Sequence, residues 1–257
     1  METETKIETI TQNEPNQSNK ATPENSSISN KLSIPMAIIV AGALVAGAVY
    51  FSSIKPKDTA PAFQPEQGTA NLENVRAISA TDHIRGDINA PIKIVEYSDT
   101  ECPFCKRFHV TMQQVMNEYG KNGKVAWVYR HSPIDSLHPK ARKEAEATEC
   151  ANELGGNDKF WEYIDRVYEI TPANNGLDPL ELPKIATYVG LNVTDFNTCL
   201  DSGKYAAHIE EDTKNAVATG GGGTPWSIAI AKDGKKYPIN GAQPYETVKQ
   251  IIDSLLK

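Results

Sequence analysis

A mixed α/β domain interrupted by a block of helices, and preceded by one membrane-spanning helix, is the fold class this sequence predicts. Three observations predict it. A strand, helix, strand pattern occupies residues 91–129, a long stretch of helical periodicity follows it, and a hairpin and one last helix close the chain. Ahead of them lies an uncharged run at 34–51, IPMAIIVAGALVAGAVYF.

The chain starts with a polar head. Residues 1–31 are dominated by Glu, Thr, Asn, Ser and Gln, a composition that buries too little apolar surface to fold, so a disordered tail is expected. The apolar run at 34–51 reaches the roughly 17–25 residues a bilayer core requires. It is apolar on every side, whereas a helix in a soluble core keeps a polar stripe. A transmembrane signal anchor is therefore expected over residues 32–52. A cleavable signal peptide is the alternative, because Ala46-Gly47-Ala48 resembles a cleavage site, but the long acidic segment before it is unlike a short basic n-region. Ala43 and Gly47 have the small-x-x-x-small spacing that can pair two such helices. Residues 53–75, rich in Pro, Ala, Gln and Thr, read as a tether.

Orientation does not follow from charge, since Lys20 and Lys31 balance Lys55 and Lys57. Cysteines decide it. All four lie beyond the apolar run, and an even number in one domain suits an oxidising compartment. The expected location is the cytoplasmic membrane, single-pass, with the C-terminal domain on the extracytoplasmic side.

That domain is expected over 76–257. Residues 91–97 (PIKIVEY) and 124–129 (KVAWVY) are β-branched strands. Between them Phe104, Phe108, Met112, Val115 and Tyr119 recur every three or four positions, the mark of a helix with one apolar face. A helical insertion follows at about 137–218, with helices predicted at 139–154, 159–170, 179–189, 193–200 and 205–217, each bounded by Gly, Pro or Asn. Residues 226–231 and 236–239 flank Lys232-Asp233-Gly234 as a hairpin, and 244–256 is a final helix. Trp127, Phe160 and Trp161 read as core.

Chemistry concentrates at Cys102-Pro103-Phe104-Cys105, where the first strand gives way to the helix. The free N–H groups of a first helical turn favour thiolate over thiol and can lower a cysteine pKa to roughly 3.5–7.5. Zinc knuckles and plain disulfides share the C-x-x-C spacing. A zinc ribbon needs a second close pair, and Cys150 and Cys199 are 49 positions apart. Each lies in a predicted helix, which suggests a structural disulfide or two buried thiols.

The net charge of −7 and the lack of a basic, aromatic-interleaved patch argue against nucleic acid. No phosphate loop or G-x-S-x-G elbow occurs. No metal site is expected; His109, His131 and His138 are assigned to surface or packing.

Strand, C-x-x-C, helix, strand, helical block, Thr224-Pro225, hairpin and final helix resemble the thioredoxin fold with the helical insertion of DsbA-type thiol-disulfide oxidoreductases. Cys105 and Pro225 are 120 positions apart, room for that insertion. The resemblance implies that Cys102, with Cys105 as its partner, forms a mixed disulfide with a substrate thiol, whose resolution leaves Cys102 and Cys105 reduced. It implies that Thr224 and Pro225 form a cis-proline loop facing the sulfurs and receiving extended substrate. It also places Glu96 beneath the disulfide as a proton relay for the inner thiol, with Arg130 a possible ion partner.

Pro103 and Phe104 would tune the potential. Strong oxidants of this kind carry His where Phe104 stands, so a less oxidising couple is expected. Glu101 would oppose the thiolate if close. The implied activity is oxidation of thiols in exported proteins, with a DsbB- or VKOR-type membrane partner for recycling and no cofactor. A reductase or isomerase, or a redox-inactive chaperone-like module, are the alternatives.

Overall fold

The computed structural model describes residues 71–79 and 81–257. The expected tail at 1–31, anchor at 32–52 and most of the tether lie outside the described residues. Among the described residues no helix is long and apolar enough to cross a membrane.

A five-stranded sheet organises the domain. Its strands are β1 (His83–Arg85), β2 (Ile92–Ser98), β3 (Val125–His131), β4 (Trp226–Ile230) and β5 (Lys236–Asn240), in the order β1-β3-β2-β4-β5. β2 and β3 are parallel because α1 (Pro103–Val115) crosses between them, and the other pairings are antiparallel. β2 and β3 are buried on both faces over nearly their whole length, as strands of a sheet covered on two sides are.

One face carries Ile92, Ile94 and Trp127 against Phe108 and Met112 of α1, Phe160, Trp161 and Ile164 of α2 (Ala141–Ile170), and Val248, Ile251 and Ile252 of the C-terminal helix. The opposite face carries Val95, Tyr97, Val128 and Ile228 under Leu72, Val75 and Ile78. Residues 71–75, read as part of the tether, thus include a 3-10 turn, Leu72–Asn74, whose flanking side chains pack on the sheet.

The insertion has its own core. α2, α3 (Glu181–Tyr188), α4 (Val193–Ser202) and α5 (Ala206–Ala218) follow β3, and the first three enclose Cys150, Tyr163, Leu182, Ile185, Phe196 and Cys199. The two helices expected at 139–154 and 159–170 adjoin within α2 and are separated by a break at Gly156, whose non-helical backbone (φ 76°, ψ −174°) glycine adopts without Cβ strain. α6 (Tyr245–Leu255) ends the chain. β1, only three residues long, has too little pattern to be read from sequence.

The glycine run before β4 has a structural basis. Gly220 closes α5 at a φ of 97°, and a Cβ on Gly221 would come within 2.9 Å of both the Ala216 carbonyl oxygen and the Trp226 ring.

Candidate active site

Cys102 is the N-cap of α1 and Pro103 its first residue. Proline suits that position because its missing N–H would be unsatisfied there and its fixed φ starts the helix. The Cys102 carbonyl accepts the Lys106 N–H at 3.0 Å. One turn further, Cys105 is fully buried, and its Sγ accepts the Asp99 N–H at 3.4 Å.

Thr224–Pro225 is a cis peptide, and the Thr224 carbonyl oxygen lies 3.4 Å from Cys102 Sγ. This contact helps to cover the outer sulfur. Cys102 is only 4% exposed, not freely accessible, whereas Phe104 is 53% exposed under the Arg107 guanidinium. The inward face of α1 takes Cys105, Phe108, Met112 and Val115; Phe104 shares the helical angle of Phe108 and Val115 but stands in the first turn, at the end of that face, where it stays exposed.

The two sulfurs are electrostatically unequal. A hydrogen bond from the Cys105 thiol holds Cys102 down at about 6; burial opposes this, while the Cys105 N–H, the Thr224 side chain and the Phe104 N–H reinforce it. Burial first, and then neighbouring Cys102, push the Cys105 thiol well above its ordinary value. A thiolate is the nucleophile, so alkylation of Cys102 should be fast and level above its midpoint and fall tenfold per pH unit below it. Iodoacetamide kinetics with mass mapping should place that midpoint near 6; a value near the free-thiol 8.5 would remove the electrostatic distinction.

Glu96 is fully buried, and burial raises it to about 7 against the lowering influence of the nearby Ser98 and Trp127 side chains. Trp127 Nε1 donates to its Oε2 at 2.8 Å, and Oε1 has no partner among the described residues. The Glu96 charge also raises Cys105, so the acid and the inner thiol sense each other. Arg130 is not its partner. Arg130 sits opposite Tyr97 in the β2–β3 register, hence on the other face, where it binds Asp82 at 2.7 Å.

Ser98 was not singled out in the sequence, yet its hydroxyl, paired with Tyr168 at 2.9 Å, lies near enough to Glu96 and Cys105 to lower both. The period-two alternation that places Glu96 inward would have found it.

Glu101 also departs from expectation. Its carboxylate accepts the Gly176 and Leu177 N–H groups at 3.1 and 3.0 Å, which ties the C-x-x-C loop to the loop after α2. Burial and neighbouring Glu101 raise Glu144 to about 8, and Thr100 donates to it at 2.6 Å.

His109, His131 and His138, assigned to surface or packing, are each buried against a carboxylate, Asp165, Glu149 and Asp99 respectively. Those carboxylates are distant in sequence, which hid the pairings. Cys150 of α2 and Cys199 of α4 form a disulfide within the insertion core.

Two thiols at a helix N-terminus, a cis-proline loop over the outer one and a buried acid beside the inner one are set in a DsbA-like fold, an arrangement chemically able to exchange thiols and disulfides. The chain belongs to the thioredoxin family: the family model described as Thioredoxin matches residues 79–254. Among solved structures it is similar to DsbA2 of Pseudomonas aeruginosa, at 27% identity and a TM-score of 0.58, over 70% of this chain and 97% of that one. It also resembles alpha-DsbA1 of Wolbachia pipientis at 24% identity and a TM-score of 0.62, over 72% and 96% of the two chains, a likeness of fold. A curated relative, the Na(+)/H(+) antiporter NhaA 3 of Salinispora tropica, is 33% identical over 144 residues, 56% of this chain and 21% of that protein. The chain therefore spans about a fifth of the length of the curated relatives it matches first.

Proposed function

We propose that the chain is a dithiol oxidase that forms disulfides in exported proteins. The observation that carries this reading is the split between the sulfurs, with Cys102 near 6 and Cys105 well above its ordinary value. Stabilising the Cys102 thiolate stabilises the reduced enzyme, and a couple whose reduced form is stabilised is an oxidant.

A substrate thiolate attacks Cys102 Sγ of the oxidised enzyme, the bond to Cys105 Sγ breaks, and a mixed disulfide forms. Cys105 leaves needing a proton, which Glu96, poised at about 7 and electrostatically coupled to Cys105, would supply. A second substrate thiolate then attacks the substrate sulfur of the mixed disulfide, and Cys102 departs as its stabilised thiolate. Two substrate thiols are oxidised and the enzyme's disulfide is reduced to a dithiol. Reoxidation calls for a quinone-linked membrane protein of the DsbB or VKOR type. Thr224 and Pro225 would present backbone groups to the extended substrate.

In this reading residues 34–51 anchor the protein in the cytoplasmic membrane and 76–257 work on its extracytoplasmic side, supported by the placement of the cysteines. One feature favours the reverse direction. Phe104 offers no imidazole to the thiolate, which shifts the couple toward a reductase. Equilibration of the full chain with glutathione buffers decides: a potential above about −180 mV supports the oxidase, and one below about −250 mV with insulin-reducing activity overturns it.

A further inference from the structure

Away from the dithiol, Glu149 of α2 stands at the focus of three imidazoles from three other elements. His83 of β1, His131 at the end of β3 and His208 of α5 bring Nε2 to 2.7, 2.9 and 3.5 Å from its Oε1. His83, His131 and Glu149 are buried, and their ligand atoms lie within 4.8 Å of one another. The His83 ring is fixed by stacking on Phe160 at 3.5 Å. The His208 side chain is 26% exposed, which leaves a way in from solvent.

Hydrogen bonding alone accounts poorly for this convergence. A carboxylate oxygen has two lone pairs, and the third nitrogen stands at 3.5 Å, beyond the usual reach of an N–H···O bond. The convergence of three imidazoles on one carboxylate oxygen is what suits a cation. Tetrahedral bonds of 2.0–2.1 Å hold ligand atoms about 3.4 Å apart, so outward shifts of about half to three-quarters of an ångström in His131 and His83, now at 2.9 and 2.7 Å, would admit one. Three imidazoles with one carboxylate match zinc-type ions, not the all-oxygen shells of calcium or magnesium. Nearby Asp212 is already engaged, accepting from Arg76 at 2.7 Å and from the His131 N–H at 3.1 Å.

We propose that His83, His131 and Glu149 hold a divalent zinc-type transition metal, independent of the dithiol, and that His208, 3.5 Å from Glu149 Oε1, moves inward to complete a tetrahedral site. The sequence reading assigned no metal ligand, because these four residues are scattered over four elements with no motif spacing. Bound metal would join the sheet edge to two helices of the insertion.

The test uses the full chain in detergent without a polyhistidine tag, oxidised at Cys102 and Cys105 so that no thiolate competes. Cobalt(II) titration is expected to give the intense visible bands of tetrahedral cobalt at one equivalent per chain, displaced by zinc(II) and unaffected by calcium. His208→Gln, at the solvent side and so compatible with folding, should weaken binding at least about tenfold, and His131→Gln should abolish it. Absence of those bands, or binding unchanged in His208→Gln, overturns the proposal.

Discussion

Replacing Cys105 by Ala should trap a covalent adduct on Cys102. In this variant the Cys102 thiolate can still attack a disulfide-bonded peptide, forming one mixed disulfide and releasing one peptide thiolate, but no inner thiol remains to resolve it. Intact-mass spectrometry should show near-stoichiometric adduct on Cys105→Ala and none on Cys102→Ser, whose catalysed thiol oxidation should drop to background. The asymmetry follows from the burial of Cys105 and the hydrogen bonding at Cys102. Adduct formation on Cys105 in a Cys102→Ser chain, at a rate like wild type, would invert the assigned roles.

The second large effect is on stability. Cys150 and Cys199 close a loop of 49 residues, and the chain-entropy model assigns such a crosslink about 4 kcal/mol. A chain with both replaced by Ala, compared with wild type while Cys102 and Cys105 are oxidised in each, should lose about that much in urea denaturation. The insertion should loosen first, since the disulfide lies among Ala147, Phe196 and Leu200 of its core. A loss below about 1 kcal/mol would mean that the unfolded insertion is already restrained without the bond.

The legible part of the site was local. Cys102, Pro103 and Cys105 announce themselves because thiol spacing, a proline at the first helical position and the preceding strand are all sequence-adjacent. Glu96 was readable through alternation, which sets it on the face of Ile92 and Ile94. The same alternation would have removed Arg130 as its partner once register was known, but register depends on pairing across 31 or more positions. Phe104 was misplaced because helical periodicity gives a face and not which end residue leaves it.

By itself, then, the sequence determined the βαβ core, the chemistry of the dithiol and the helical character of the insertion, since these arise from patterns within one or two turns or strands. Only the tertiary structure decided how deeply Cys102 is covered, that Ser98 pairs with Tyr168 near Glu96 and Cys105, that Glu101 turns toward the insertion, and that His83, His131, His208 and Glu149 meet. Those arrangements join residues distant along the chain, and their energetics depend on burial and on charges at a few ångströms, quantities that exist only after packing.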